Sequence, residues 1–469
     1  MLRPLRVAAL IVVLAALAGT GDLRRGPEVR EFAGAYPETV APGGALRSFT
    51  LRAAPAEVRL LDGRPLEVWA YDGRVPGPEL RVRLGDRVRV TFTNDLPQPT
   101  TIHWHGVRVP NAMDGVPGVT QPPIQPGETF VYEFTPKDAG TFWFHPHLRS
   151  SEQIERGLFG VLIVEDPTPP AWSRDVVWVL DDWLLTPTGE IFPEFNTRHD
   201  LAHDGRWGNV VTVNGHVGEQ LEVRAGERLR LRLLNVANGR VFAPDLSALD
   251  AAVIAVDGNY AARPLPPAGF ELAPGNRLDL DVTIPAAARG RRLRIVDRFT
   301  REAIPLGEIV VADEPPVETP RFASPAAAHV PAWRSGAATP VAAEFRLNAR
   351  AGGPFGIEWT INDAAFRHEH GSHDAMPVAA RLPRGEWSHL RFTNESYRLH
   401  PMHIHGLFFK VLARNGQLVD EPYFRDTVLL RSHDTVDVGT VPLDAGTWMV
   451  HCHILEHAES GMMTLIDVR

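Results

Sequence analysis

The chain is expected to be all-β, built from three similar sandwiches in succession. Three observations lead there. First, short alternating runs such as "LRVRLGDRVRVTFTN" from Leu80 sit between Gly, Pro and Asp clusters, the mark of half-buried strands joined by tight turns. Second, Pro (41) and Gly (40) are abundant, while long stretches of helical period are scarce, which favours sandwiches or barrels. Third, the chain repeats itself at a period of about one domain.

The repeat organises the elements in order. Residues 1–18 come before it. Arg3 and Arg6 precede the apolar run Val7 to Leu17, and Ala16-Leu17-Ala18 is a small-x-small cleavage site. The run is shorter than the roughly 20 residues of a spanning helix, so a secretory signal is expected. The protein is therefore expected in the periplasm or outside the cell, with no membrane span in the mature chain. A first unit, residues 30–166, holds "LRVRLGDRVRVTFTN" and then "TFVYEFTPKDAGTFWFHPH" from Thr129. A second unit, 171–312, holds "LEVRAGERLRLRLLN" from Leu221 and a weaker copy of the other pattern, "RLDLDVTIPAAARGRRLRIV" from Arg277. A third, 320–469, holds "AARLPRGEWSHLRFTN" from Ala379 and "TVDVGTVPLDAGTWMVHCH" from Thr435. Pro-rich linkers fall between them, "DPTPP" at Asp166 and a longer one from Asp313. A chain of 469 residues divides naturally into domains of this size.

The net charge of -9 leaves no basic surplus to neutralise phosphates, so nucleic acid is excluded as the main partner. There is one cysteine, so an exported chain that could use disulfides forms none within itself.

Ten of the 19 histidines lie in four short segments: "HWHG" (His103, His105), "HPH" (His145, His147), "HPMHIHG" (His400, His403, His405) and "HCHILEH" (His451, His453, His457). The first and third units end their repeats in "HPH" and "HCH"; the second ends without histidine. The chemistry is thus expected on the first and third units, with the second as a spacer and a candidate wall. In a strand, residues two apart share a face. His103/His105, His145/His147, His403/His405 and His451/His453 are then four same-face pairs, two from each outer unit. One H-x-H pair is often a coincidence; four at repeat-equivalent strand ends are not. If the outer units face each other, eight imidazoles converge, too many for one metal and suited to three coppers. His400 and Cys452 fall on the opposite face by the same parity. His457 and Met462 follow Cys452 at five-residue intervals. Cys, two His and a Met form the trigonal thiolate–imidazole set of blue copper with a long axial thioether. Zinc would be content with fewer and harder ligands.

These four segments, in this order and spacing, resemble the copper-binding motifs of multicopper oxidases of the laccase and bacterial cuprous-oxidase type. The resemblance spans the whole mature chain and implies three cupredoxin-like Greek-key sandwiches and four coppers. It implies a type 1 copper on His400, Cys452 and His457 with Met462 axial. It implies a type 2 copper on His103 and His403, and a type 3 pair on His105, His145, His147, His405, His451 and His453. It further implies four one-electron oxidations of a reductant coupled to reduction of dioxygen to two waters. Cys452 with its neighbours His451 and His453 would then be the conduit between centres. Asp114, in "NAMDGVPG", matches a family acid that relays protons. Some relatives carry a second acid directly after the last type 1 histidine; here that position is Ala458, with Glu459 following it and Glu456 preceding.

For the reductant, specialised cuprous oxidases of the family carry a Met-rich insert beside the blue copper, and this chain has seven Met in all. Ser396, Tyr397 and Arg398 stand where that subgroup offers acid and Met. "RHEHGSHDAM", with His368, His370, His373 and Met376, pulls the other way but reads first as a solvated loop. The expectation is a monomeric, laccase-like oxidase of phenols and aromatic amines. The alternatives are a Cu(I) oxidase in copper tolerance and a non-catalytic exported copper-binding protein.

Overall fold

The computed structural model of the chain describes residues 43–61, 64–327, 340–366 and 376–469. The expected signal at 1–18, the end of the second linker, and His368, His370 and His373 lie outside the described residues. Among the described residues no helix is long and apolar enough to cross a membrane.

The alternating runs become strands with the expected faces. In Arg87–Asn94, Val88, Val90 and Phe92 are buried while Arg87 and Arg89 are exposed. The strands assemble into six sheets, two to each of three cupredoxin-like sandwiches. In the first, the sheet Arg64–Tyr71, Leu46–Leu61, Arg87–Asn94, Thr129–Phe134 faces the sheet Glu79–Arg83, Gly160–Glu165, Gly140–His145, His103–His105. The others repeat this plan with six- and four-stranded and six- and five-stranded sheets. The repeat extends to strand direction. Leu46–Leu61 with Arg87–Asn94, Arg174–Trp183 with Arg228–Asn235, and Ala343–Ala351 with Ser388–Asn394 are all parallel pairs. Each sandwich has its own apolar core, around Phe92 and Trp104, around Leu231 and Leu280, and around Phe392 and Trp448. Each such side chain contributes about 1.5–3 kcal/mol by leaving water.

The asparagine that closes the first repeat pattern makes the same corner three times. Asn94 Nδ2 donates to the carbonyls of Gln98 and Ile124, and its Oδ1 accepts from the Leu96 N–H. Asn235 does this with Arg240, Leu272 and Ala237, and Asn394 with Arg398, Arg431 and Ser396. A buried amide that satisfies backbone groups on both sides of a turn fixes where the next strand starts. In the first and third sandwiches that next strand carries His103 and His400.

Strand register then sets the ligands opposite each other. His103 faces His145 across one antiparallel pair. His403 faces His451, and Met402 faces Cys452, across another. The equivalent pair of the second sandwich sets Pro244 against Asp297, with no imidazole.

Candidate metal centres

Cys452, at the end of Gly446–Cys452, turns its sulfur away from its neighbours into the third sandwich. Sγ lies 3.6 Å from His400 Nδ1 and 3.9 Å from His457 Nδ1, and those two nitrogens are 3.3 Å apart. His457 sits on the short helix Leu455–Glu459. Its Nε2–H donates to the carbonyl of His203 at 2.8 Å, which leaves Nδ1 as a lone pair aimed at the sulfur. His400 Nε2 meets Ser396 Oγ at 2.9 Å. The Ile454 N–H points at Sγ from 3.4 Å. Met462 is buried and tied to both neighbours by backbone: its carbonyl accepts from Cys452 and its N–H donates to His457. Burial pushes the Cys452 thiol far above its ordinary range. Burial also holds His400 well below the ordinary imidazole value and His457 down at about 3.

The four same-face pairs converge as one cluster between the outer sandwiches. Ring centroids within pairs lie 5.8, 6.2, 5.0 and 5.5 Å apart. Donor atoms fall into three groups, each within 4.8 Å: His103, His105 and His403; His105, His145 and His453; His147, His405 and His451. Parity alone had left the sharing of these imidazoles open. Two cross-sandwich stacks, His103 on His405 and His105 on His403, both at 3.8 Å, lock the halves together. Burial first, then neighbouring imidazoles, holds His105, His405 and His453 well below their usual range. Burial does the same for His145 and His451.

The outer nitrogens are held by hydrogen bonds. His103 Nδ1 donates to the Asp114 carbonyl (2.8 Å), His405 Nδ1 to the Asp114 carboxylate (2.8 Å), and His403 Nδ1 to the Asp426 carbonyl (3.0 Å). His145 Nδ1 donates to the Pro146 carbonyl, and His451 Nδ1 to the carbonyl of Cys452. The inner nitrogens have no such partner. His103, His145 and His403 Nε2, His105 Nδ1 and both His453 nitrogens are buried and unpaired. His405 and His451 point Nε2 at Nε2 across 3.1 Å although each already uses Nδ1 as its donor, so two lone pairs face each other. An unpaired buried polar group costs about 1–3 kcal/mol. Several on one cavity suit cations set among them, and the neutral imidazoles and thiol match the donor preference of copper.

Sequence reasoning allowed the second sandwich to be a wall but named none of the residues that build it. Gly275 packs against the His105 and His453 rings. Arg277 grips Asp426, whose Oδ1 lies 3.2 Å from His105 Nε2. Asp257 accepts from the backbone N–H groups of Arg277 and Thr427. The second sandwich thus forms one wall of the cluster. A signal was present: "RLRLRLLN" and "NRLDLDV" carry opposite charges at alternate positions, and the strands pair with Arg232 opposite Asp279.

The two acids near Ala458 separate. Glu456 turns to the second sandwich, where Asn238 Nδ2 and the Arg206 N–H donate to it. Glu459 accepts from the Ser151 N–H and Oγ and from Asn196 Nδ2, and lines a cavity with Arg149, Ala458, His145, His147 and His451. Met376 is buried against Met449, Met463 and Ala458. It serves as packing rather than as part of an open loop.

A sandwich-borne Cys–His–His centre linked through one strand to an eight-imidazole cluster defines a copper-dependent oxidase. Its clusters are consistent with type 1, type 2 and type 3 copper sites. Family models described as multicopper oxidase match residues 53–169, 174–293 and 344–469. The chain is 34% identical to a multicopper oxidase of Pseudomonas thermotolerans of known structure, covering 91% of this chain and 100% of that one, with a TM-score of 0.77. It is 36% identical to the Pseudomonas parafulva multicopper oxidase, covering 90% and 100%, also at 0.77. Multicopper oxidase MmcO of Mycobacterium tuberculosis is 28% identical over 90% of this chain and 87% of its own length. The chain belongs to the multicopper oxidase family.

Proposed function

We propose that the protein oxidises small phenols and aromatic amines, one electron at a time, at a type 1 copper that His400, Cys452, His457 and Met462 would hold. Four such electrons reduce dioxygen to two waters at a trinuclear cluster. In this reading His103 and His403 hold the type 2 copper. The type 3 pair divides between His105, His145 and His453 on one side and His147, His405 and His451 on the other. Copper bound at these centres supplies the one-electron and oxygen chemistry.

The observation that carries the reading is the position of Cys452. Its sulfur lies in one group of ligands, while its covalent neighbours His451 and His453 lie in two of the three imidazole groups. An electron arriving at the thiolate reaches the cluster through backbone, with a second route from the Cys452 carbonyl to the His451 Nδ1–H at 2.8 Å. Asp114 aims two ligand rings inward, which supports a role for it as proton relay. The cavity at Glu459 and Arg149 reaches His147 and His451 and supports access for dioxygen from that side. The N-terminal pattern supports export.

Reconstitution with copper, followed by optical and EPR spectra and oxygen uptake with a phenol, tests the reading. Four coppers per chain, blue absorption and oxygen consumption are expected. A blue protein that turns over no phenol would refute it.

A further inference from the structure

Glu459 places a carboxylate on the cavity that reaches the imidazole cluster. The cavity runs from the exposed Arg149 on the outside to His147 and His451 on the inside, with Ala458 and Met463 as apolar wall. Glu459 is held there as an acceptor three times over. Its Oε1 takes the Ser151 N–H at 2.9 Å, and its Oε2 takes the Ser151 hydroxyl at 2.7 Å and Asn196 Nδ2 at 2.6 Å. A backbone N–H and an amide nitrogen can only donate, so both oxygens are committed to accepting. Such a set of donors favours the ionised form. Burial works the other way and raises the carboxyl above its ordinary range, with the three donors and the Arg149 charge opposing it. Arg149, the one cation on the lining, is turned elsewhere: its Nη1 donates to Gln98 Oε1 at 3.0 Å and lies 3.9 Å from Glu152 Oε2.

A negative charge has a use at this place. Burial keeps the imidazoles of His145 and His451 neutral, so they cancel none of the charge of copper ions held among them. A small anion that enters is drawn to those ions and takes the place of dioxygen. Dioxygen carries no charge and passes a carboxylate without repulsion. A halide does not, and in surroundings poor in water like-charge repulsion is stronger than in bulk solvent.

We propose that Glu459 is the selectivity filter of this cavity: its carboxylate keeps monovalent anions of halide size from the copper cluster and leaves dioxygen free to pass. The proposal rests on the copper reading of the cluster and adds to it what the entry path refuses.

Azide and fluoride are the probes, read by binding rather than by turnover. Copper-loaded parent and variants are titrated at about pH 8, where ordinary carboxyls are ionised. Azide is followed by its charge-transfer band to copper, and fluoride by the EPR signal of the type 2 copper. Glu459→Gln keeps the size of the side chain and removes its charge. The dissociation constants of both anions should fall by about tenfold in it, the scale of one nearby like charge removed. Ala458→Glu, which leaves the Glu459 hydrogen bonds in place and adds a second charge to the same wall, should raise both constants. The KM for dioxygen should stay as in the parent. A parent that binds fewer than four coppers would sink the copper reading and the filter with it. Four coppers per chain with equal anion affinity in parent and variants would overturn the filter alone.

Discussion

Arg277 of the second sandwich and Asp426 of the third form a two-armed ion pair, Nη1–Oδ1 2.9 Å and Nη2–Oδ2 2.7 Å, with both side chains closed off from solvent. The pair acts on the cluster through Asp426, which accepts from His403 at its carbonyl and lies beside His105 at its carboxylate. Burial alone would raise Asp426; the Arg277 charge and then His403 outweigh it and hold the carboxyl well below its usual range. Removing one partner strands the other charge, a loss of about 3–5 kcal/mol. Arg277→Gln should therefore lower the melting temperature. It should also lower the yield of type 2 copper, read by EPR, with the blue band of the distant Cys452 centre kept. A variant with full type 2 copper would show that Asp426 needs no anchor.

Protonation should govern metal uptake at the Cys452 centre in a simple way. Burial keeps the Cys452 thiol protonated well above neutral pH and keeps His400 and His457 neutral far below it, His457 down to about 3. Between pH 5 and 8 the metal-free site thus carries one proton to displace, that of the thiol. Apparent affinity for Co(II) should rise about tenfold per pH unit across that range, one proton leaving per ion. Free imidazole would add a change of slope near 6.5. Finding that break in an optical titration would contradict the burial argument.

Asp114 holds His405 through its carboxylate and His103 through its carbonyl. Asp114→Asn keeps an acceptor for His405 but removes the charge. Reoxidation of the reduced enzyme by dioxygen should slow by about a hundredfold or more, the usual scale of general acid–base assistance. Reduction of the blue centre by a phenol under argon should keep its rate. Stopped-flow absorbance separates the two, and equal slowing of both would remove Asp114 from the oxygen step.

The ligands were legible in the sequence because strand parity is a local rule. Two residues apart means one face, and His400 and Cys452 fell out of phase with their neighbours before any fold was known. The division of eight imidazoles into three groups was not legible. It depends on the His103–His405 and His105–His403 stacks, which join residues some 300 positions apart. Arg277 and Asp426 were hidden for the same reason: a charged residue on an alternating strand reads as solvent-facing until its partner arrives from another sandwich. The closing asparagines Asn94, Asn235 and Asn394 lay between these cases, visible as a repeat but silent about the corners they build.

Met462 is placed by backbone alone, between the Cys452 N–H and the His457 carbonyl. A thioether there would be a weak donor to a copper held by His400, Cys452 and His457, and would favour its oxidised form. Met462→Leu keeps the volume and apolarity of a fully buried position, so stability should change by less than about 1.5 kcal/mol. The reduction potential should rise. A redox titration that leaves the potential in place would assign Met462 to packing alone.

Gly275 offers the sharpest steric test of the wall built by the second sandwich. Its φ is +88°, and its N–H donates to the Asn235 carbonyl, so the corner asparagine and the cluster share one turn. A Cβ at this position would stand 2.9 Å from His105 Cε1 and 3.1 Å from His453 Cδ2. Gly275→Ala therefore adds about 1–2 kcal/mol of backbone strain and pushes on two rings of a single group of ligands. Those rings cannot swing away freely, because His105 is stacked on His403. The expected result is loss of type 3 copper, seen as a weakened near-ultraviolet band and fewer coppers per chain by metal analysis. The new Cβ meets neither the Cys452 sulfur nor the His400 and His457 rings, so the blue band should persist. Four coppers per chain in Gly275→Ala would mean that the wall yields, and that the second sandwich spaces the outer two without shaping the cluster between them.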